Sequence, residues 1–113
     1  MAKVEIVNSL AREIKKKFKS ESHKIIELLE SLEKNLHKGK PLGNIGEVVI
    51  KEVRYKKFRF YFITDGYKLK ILSLEKLTDL LLKFVRMSDK KAQQKTINEI
   101  KRILIKLGPH GFE

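Results

Sequence analysis

Apolar residues recur along the chain with two different periods, and the switches between them divide it into elements. Lys3–Val7 alternates, with Val4 and Ile6 on one side and Lys3 and Glu5 on the other, a short strand pattern. Asn8 and Ser9 follow as residues suited to capping a helix. Leu10, Ile14 and Phe18 then recur at helical spacing. A single helix from Ala2 to Phe18 is the alternative. Lys19–Ser22 interrupts the pattern, and Ser20 or Ser22 can cap a second helix with Ile25, Leu29, Leu32 and Leu36 as its stripe. Gly39 suits the position just past that helix, and Pro41 lies beyond it. Lys40–Gly46, reading KPLGNIG, has the composition of a loop.

The segment from Glu47 to Ser73 reads EVVIKEVRYKKFRFYFITDGYKLKILS. Its β-rich runs predict a three-stranded meander turning at Lys56-Lys57 and at Asp65-Gly66, the latter a strong hairpin signal. A short first turn sets Arg54 opposite Arg59 and Glu52 opposite Tyr61. Alternation then places Phe60, Phe62, Leu69 and Ile71 on one face and Arg59, Tyr61, Lys68 and Lys70 on the other. Ser73 can cap a third helix with Leu74, Leu77, Leu81 and Phe84, but a strand at Leu80–Val85 fits as well, so residues 74–85 stay open between the two. Ser88 is the next cap, Ile97, Ile100, Leu104 and Leu107 mark a closing helix, and Gly108-Pro109 stops it. The last four residues read as loose. The predicted fold is α+β and a single domain over residues 1–113. In it an antiparallel sheet, the meander plus the N-terminal strand, is covered on one face by an N-terminal helical hairpin. One or two C-terminal helices follow.

Charge changes the picture. The 113 residues hold 26 Lys plus Arg against 14 Asp plus Glu, a formal net charge of +12. An ion-pair network of the thermophilic kind is near balance; this excess favours a polyanionic partner, nucleic acid first. Without cysteine there is no disulfide framework, thiolate metal site or Cys nucleophile. No stretch approaches the roughly 18 apolar residues of a spanning helix, so the expectation is a cytoplasmic protein with no membrane partner.

His23, His37 and His110 lack ligand spacing, so no metal and no cofactor are expected. Nor is there a phosphate-binding glycine loop or a nucleophile elbow. The informative constellation is Arg54, Arg59, Tyr61, Lys68 and Lys70 on one sheet face, with Lys56 and Lys57 at its edge. Arginine grips phosphate with a planar fork, and tyrosine can stack a base. Like charges facing across strands are destabilising, which calls for a functional reason. Arg86, Lys90 and Lys91 lie near a helix start, where backbone N–H groups also attract phosphate.

Four stretches in order resemble the RelE/ParE superfamily of type II toxin–antitoxin toxins. KVEIVNSLAREIKKK, with Ser9, Ala11, Arg12 and Glu13, is similar to that family's first strand and helix start. HKIIELLESLEKNLHKGKPLGN resembles its second helix, and EVRYKKFRFYF, with Glu52, Val53, Arg54, Phe58 and Arg59, its Glu-Leu-Arg then Tyr-Arg pattern. KKAQQKTINEIKRIL resembles its closing region. The chain departs from the family where SLEKLTDLLLKF separates Ser73 from Arg86, and it has no C-terminal Tyr or His matching the catalytic residue of some members. The resemblance implies a β-α-α-β-β-β core and a cognate antitoxin. It also implies either metal-independent cutting of messenger RNA on the ribosome or inhibition of DNA gyrase. In the endoribonuclease, Arg59 and Arg54 would stabilise the phosphorane, Lys68 or Lys70 would act as base, and Tyr61 would position the nucleotide. Lys56, Lys57, Arg86, Lys90 and Lys91 would bind the strand. The alternative is a binder without catalysis on the same scaffold.

Overall fold

The computed structural model describes residues 2–35, 38–71 and 80–112. It has an α+β fold. Strand β1 (Lys3–Ile6) leads into α1 (Asn8–Phe18) and, through a 3-10 turn, α2 (Ser22–Glu30). Strands β2 (Lys40–Ile45), β3 (Val48–Tyr55) and β4 (Phe58–Asp65) follow, then the short helix α3 (Gly66–Ile71), β5 (Leu81–Asp89) and α4 (Gln93–Leu107). The five strands form one sheet in the order β1-β5-β4-β3-β2. β1 pairs with β5 in parallel and every other pairing is antiparallel, so the sheet is mixed.

β1 and α1 separate where the alternation ends at Val7, so the single N-terminal helix is not formed. Leu10, Ile14, Ile25, Leu29 and Leu32 are fully buried against the sheet, the pattern the helical stripes predict. Leu36 of the second stripe lies outside the described residues. On that face the Phe18 ring meets Phe58 edge-on, with centroids 5.0 Å apart, and Phe62 packs on Phe84 at 4.9 Å. Neither α1 nor α2 uses a side-chain cap, so the serines and Asn8 do not play the part their type suggests.

The meander exists but is shifted toward the N-terminus. The turn at Lys56-Lys57 is as expected, and Arg54 faces Arg59 and Glu52 faces Tyr61. Asp65-Gly66 is not a hairpin turn. Asp65 Oδ1 accepts the Lys68 N–H at 3.1 Å, the geometry of a helix N-cap, and α3 begins where a third strand was predicted. Gly66 serves close approach instead, because a Cβ there would stand 2.3 Å from Val49 Cγ2. The missing strand is β2, formed by the stretch that reads as a loop. It lies at the sheet edge, where Pro41 and a register shift between Pro41 and Gly43 are tolerated.

Of the segment left open between helix and strand, Leu81–Val85 belongs to β5, while residues 72–79 lie outside the described residues. β5 sits between β1 and β4, and its burial alternates from Leu81, 42 % exposed, through Leu82 and Lys83 to Phe84, so the continuous apolar run does not mark burial on both faces. A register shift between Tyr61 and Phe62 makes Val85 the extra residue in the β4–β5 ladder.

The second face of the sheet is not open. α4 lies across it and buries Ile97, Ile100 and Leu104. Every residue of β4 from Arg59 to Thr64 is buried as a result. Ser88 belongs to β5 and caps nothing; Asp89 Oδ1 accepts the Ala92 N–H instead, at 2.9 Å. Gly108, at φ +73°, ends α4 as predicted. Residues 110–112 are not loose, since Phe112 is buried and its ring lies 5.3 Å from the Arg86 guanidinium, while Glu113 lies outside the described residues. Among the described residues no helix is long and apolar enough to cross a membrane.

Candidate nucleic-acid interface

The β3–β4 turn, the last residues of β5 and the link into α4 meet at one end of the sheet. Between them is a cleft of about 510 Å³. Arg54, Lys56, Lys57, Arg59, Lys90 and Lys91 line it, and Asp89 is its single acidic lining residue. Strand pairing makes this arrangement. Arg54 and Arg59 are cross-strand partners, and Phe58 pairs with Asp89, which brings Lys90 and Lys91 level with the hairpin turn.

Behind the arginines that line the cleft is a charged cluster centred on Glu52, whose side chain is only 1 % exposed. Its Oε2 accepts from Arg54 Nε at 3.2 Å and its Oε1 from Gln93 Nε2 at 3.0 Å. The first residue of α4 is thereby tied to the middle of β3. Arg59 Nε stands 3.8 Å from the same Oε2, close enough for attraction but too far for a hydrogen bond. The Arg59 side chain is 8 % exposed, and its buried Nε–H has no hydrogen-bond partner among the described residues. A buried donor on a charged group is costly to leave without a hydrogen bond, and the Glu52 carboxylate offsets that cost only by the longer-range attraction.

Lys56 takes φ +55° at the turn, a left-handed conformation unusual for lysine. Its Nζ lies 3.2 Å from both Glu21 carboxylate oxygens, and Tyr55 Oη donates to the same carboxylate at 3.1 Å. The hydrogen bond from Lys56, then that from Tyr55, holds the Glu21 carboxyl below its usual range, and the bond to Glu21 holds Lys56 above its own. These contacts fasten the cleft lip to the 3-10 turn after α1.

Tyr61 is correctly placed beside Arg59 along β4 but cannot stack a nucleotide. It is fully buried beneath α4, with its hydroxyl 2.7 Å from Ser88 Oγ. Burial, the largest cause, pushes its pKa up. Lys68 lies on α3, beyond the C-terminal end of β4 and so at the opposite end of the sheet from the cleft. There it lines a separate hollow of about 290 Å³ with Glu47, Asp65 and Lys83. Lys70 belongs to the same helix, and its side chain lies outside the described residues. Both were expected on a third strand; the helix start at Gly66 removes them from the basic face. Arg86 is also elsewhere, with Nε donating to Glu99 Oε1 at 2.7 Å. Asp89 and Gln93 were not singled out by sequence. The only signal for Asp89 is its place directly before Lys90-Lys91, and Gln93 carries none.

Among the described residues no group of three or more His, Asp and Glu could hold a metal ion. No family model, no curated protein and no solved structure matches the chain.

Proposed function

We propose that the chain is a toxin of the RelE/ParE type, a metal-independent endoribonuclease that holds messenger RNA in the basic cleft. The observation that carries this is Arg59, 8 % exposed and without a hydrogen bond on its Nε–H among the described residues, in a cleft walled by five further cations. The order of elements, a strand, a helical pair and then a hairpin sheet, supports it through the resemblance of the four sequence stretches.

In the reaction the RNA 2′-oxygen attacks the adjacent phosphorus while the bond to the 5′-oxygen breaks. The products are a 2′,3′-cyclic phosphate and a 5′-hydroxyl. Arg59 donates to the phosphorane oxygens from a fixed, water-poor position, and Arg54, steadied by Glu52, assists. With Lys68 remote, the base falls to Asp89, the carboxylate of the cleft wall. Its Oδ1 is held by the Ala92 N–H, and Oδ2 has no hydrogen bond among the described residues. Lys90 or Lys91 returns a proton to the leaving oxygen. A cognate antitoxin as partner, and messenger in the cytoplasm as target, belong to the same proposal.

The absence of Lys68 from the cleft favours a second reading, in which the same surface binds nucleic acid or DNA gyrase without catalysis. Messenger cleavage in a translating extract separates the two. The wild type should cut and Arg59→Ala should cut about 100-fold more slowly, the size of one lost oxyanion donor. Arg59→Met, which keeps the apolar stem, guards against a folding defect. Equal cutting by both proteins, or none by the wild type, overturns the ribonuclease.

A further inference from the structure

The residues that line the cleft include no aromatic ring, and the rings around it are all engaged elsewhere. Tyr61 is sealed under α4 and bonded to Ser88. Tyr55 faces the α1 side, where its hydroxyl donates to Glu21 and its ring meets Phe18 edge-on. Phe58 is covered by Phe18 and by Lys17 Nζ, 4.7 Å above its ring. Base stacking on aromatic side chains therefore has no surface here, although it is a main source of affinity in other single-strand binders.

We propose that the cleft holds an unpaired polynucleotide strand by its phosphates alone, without reading its bases. The proposal rests on the cleft being the RNA site of the preceding section and names what that site recognises. Two lysine pairs flank the buried arginine. Lys56-Lys57 cap the β3–β4 turn and Lys90-Lys91 follow β5, the strand next to β4, so the pairs start roughly 5 Å apart at the usual strand spacing and splay outward from there. Successive phosphates can occupy one lysine pair, the arginines and the other pair. The central phosphate must descend to reach Arg59, whose side chain is 8 % exposed. A flexible strand can bend to insert it, whereas duplex phosphates are held in a stiff array. Arg54 is not available to read a base edge with its whole fork, because its Nε is committed to Glu52.

The test is fluorescence anisotropy with about twelve-nucleotide 2′-O-methyl strands, which resist attack by their own 2′-oxygen. Oligo-U, oligo-A, oligo-C and an abasic strand should bind with dissociation constants within about threefold of one another, because only phosphates are gripped. The logarithm of affinity should fall with the logarithm of salt at a slope of up to about −4, for six cations at roughly 0.7 each. Lys56→Ala/Lys57→Ala should flatten that slope by about 1.4, and Lys68→Ala should leave it unchanged. A tenfold preference for one base, failure of the abasic strand, or equal binding of a duplex overturns the proposal. Base-blind binding without RNA cleavage overturns only the ribonuclease, and cleavage with base-selective binding overturns only the present inference.

Discussion

β4 is buried on both sides, yet its two faces are built from opposite materials. Toward α1 it presents Phe58, Phe60 and Phe62, which meet Phe18, Phe84 and the helical leucines and isoleucines. Toward α4 it presents Arg59 and Tyr61, which meet Glu52, Ser88 and, through Glu52, Gln93. The first face gains free energy from every apolar contact. The second takes charge out of water and leaves one donor without a bond. Burial alone thus says nothing of purpose. A face that stabilises needs no ligand, while a face that buries an ion pair with one hydrogen bond unmade beside an open cleft is where the proposed ligand is sought.

Substitutions on the two faces should separate cleanly. Phe60→Ala leaves a large cavity and should lower unfolding free energy by about 3–5 kcal/mol in a urea titration. Its phosphate affinity, measured under folding conditions, should stay at the wild-type level; a fall in step with stability would erase the distinction. Arg59→Met should do the reverse. Glu52 keeps Arg54 and Gln93 as partners, so stability should change by less than about 1.5 kcal/mol. RNA cutting should fall about 100-fold, equivalent to about 2.7 kcal/mol.

Tyr61→Phe should cost about 1 kcal/mol for the bond to Ser88. Ser88 Oγ already donates to the Asp89 carbonyl at 2.9 Å, so the tyrosine is the donor in that pair. Because burial raises the Tyr61 pKa in the folded state, the stability it contributes is fully present below pH about 10. That stability is lost as pH rises through the folded value. Thermal melts of the variant across alkaline pH should show a shallower decline than the wild type. The smallest effect is expected at Glu21→Gln. The folded Glu21 pKa is lowered, so its contribution is present above its ordinary value of 4.5 and lost as pH falls through the folded one. The variant should lose that acid-side dependence and, with Lys56 released from the Glu21 carboxylate, bind RNA no more weakly than the wild type; a drop in affinity would tie the apolar side to the cleft.

Much of this was legible from residue pattern. Val4 and Ile6 gave β1, the leucine and isoleucine stripes gave α1, α2 and α4, and the Arg54–Arg59 register followed from a short turn even at an unpromising Lys56-Lys57. Asp65-Gly66 misled because the same pair serves a hairpin or, through its carboxylate, a helix start. β2 was hidden by Gly and Pro, which an edge strand tolerates. At the site, alternation correctly put Arg59 and Tyr61 on one side of β4. It carries no information on whether another layer covers that side, and α4 does. Lys68 and Lys70 were lost with the misplaced strand, and Asp89 gained its position from pairing with Phe58, a contact between distant parts of the chain.

That last contact has a consequence for how the protein is made. β5 joins the hairpin strands to β1, so the two lysine pairs of the cleft come from segments more than thirty residues apart in order of synthesis. A chain growing from its N-terminus can form α1, α2 and the hairpin, but it possesses only four of the six cleft cations until Lys90 and Lys91 have emerged. An activity directed at messenger RNA would in that way be withheld from the ribosome producing it.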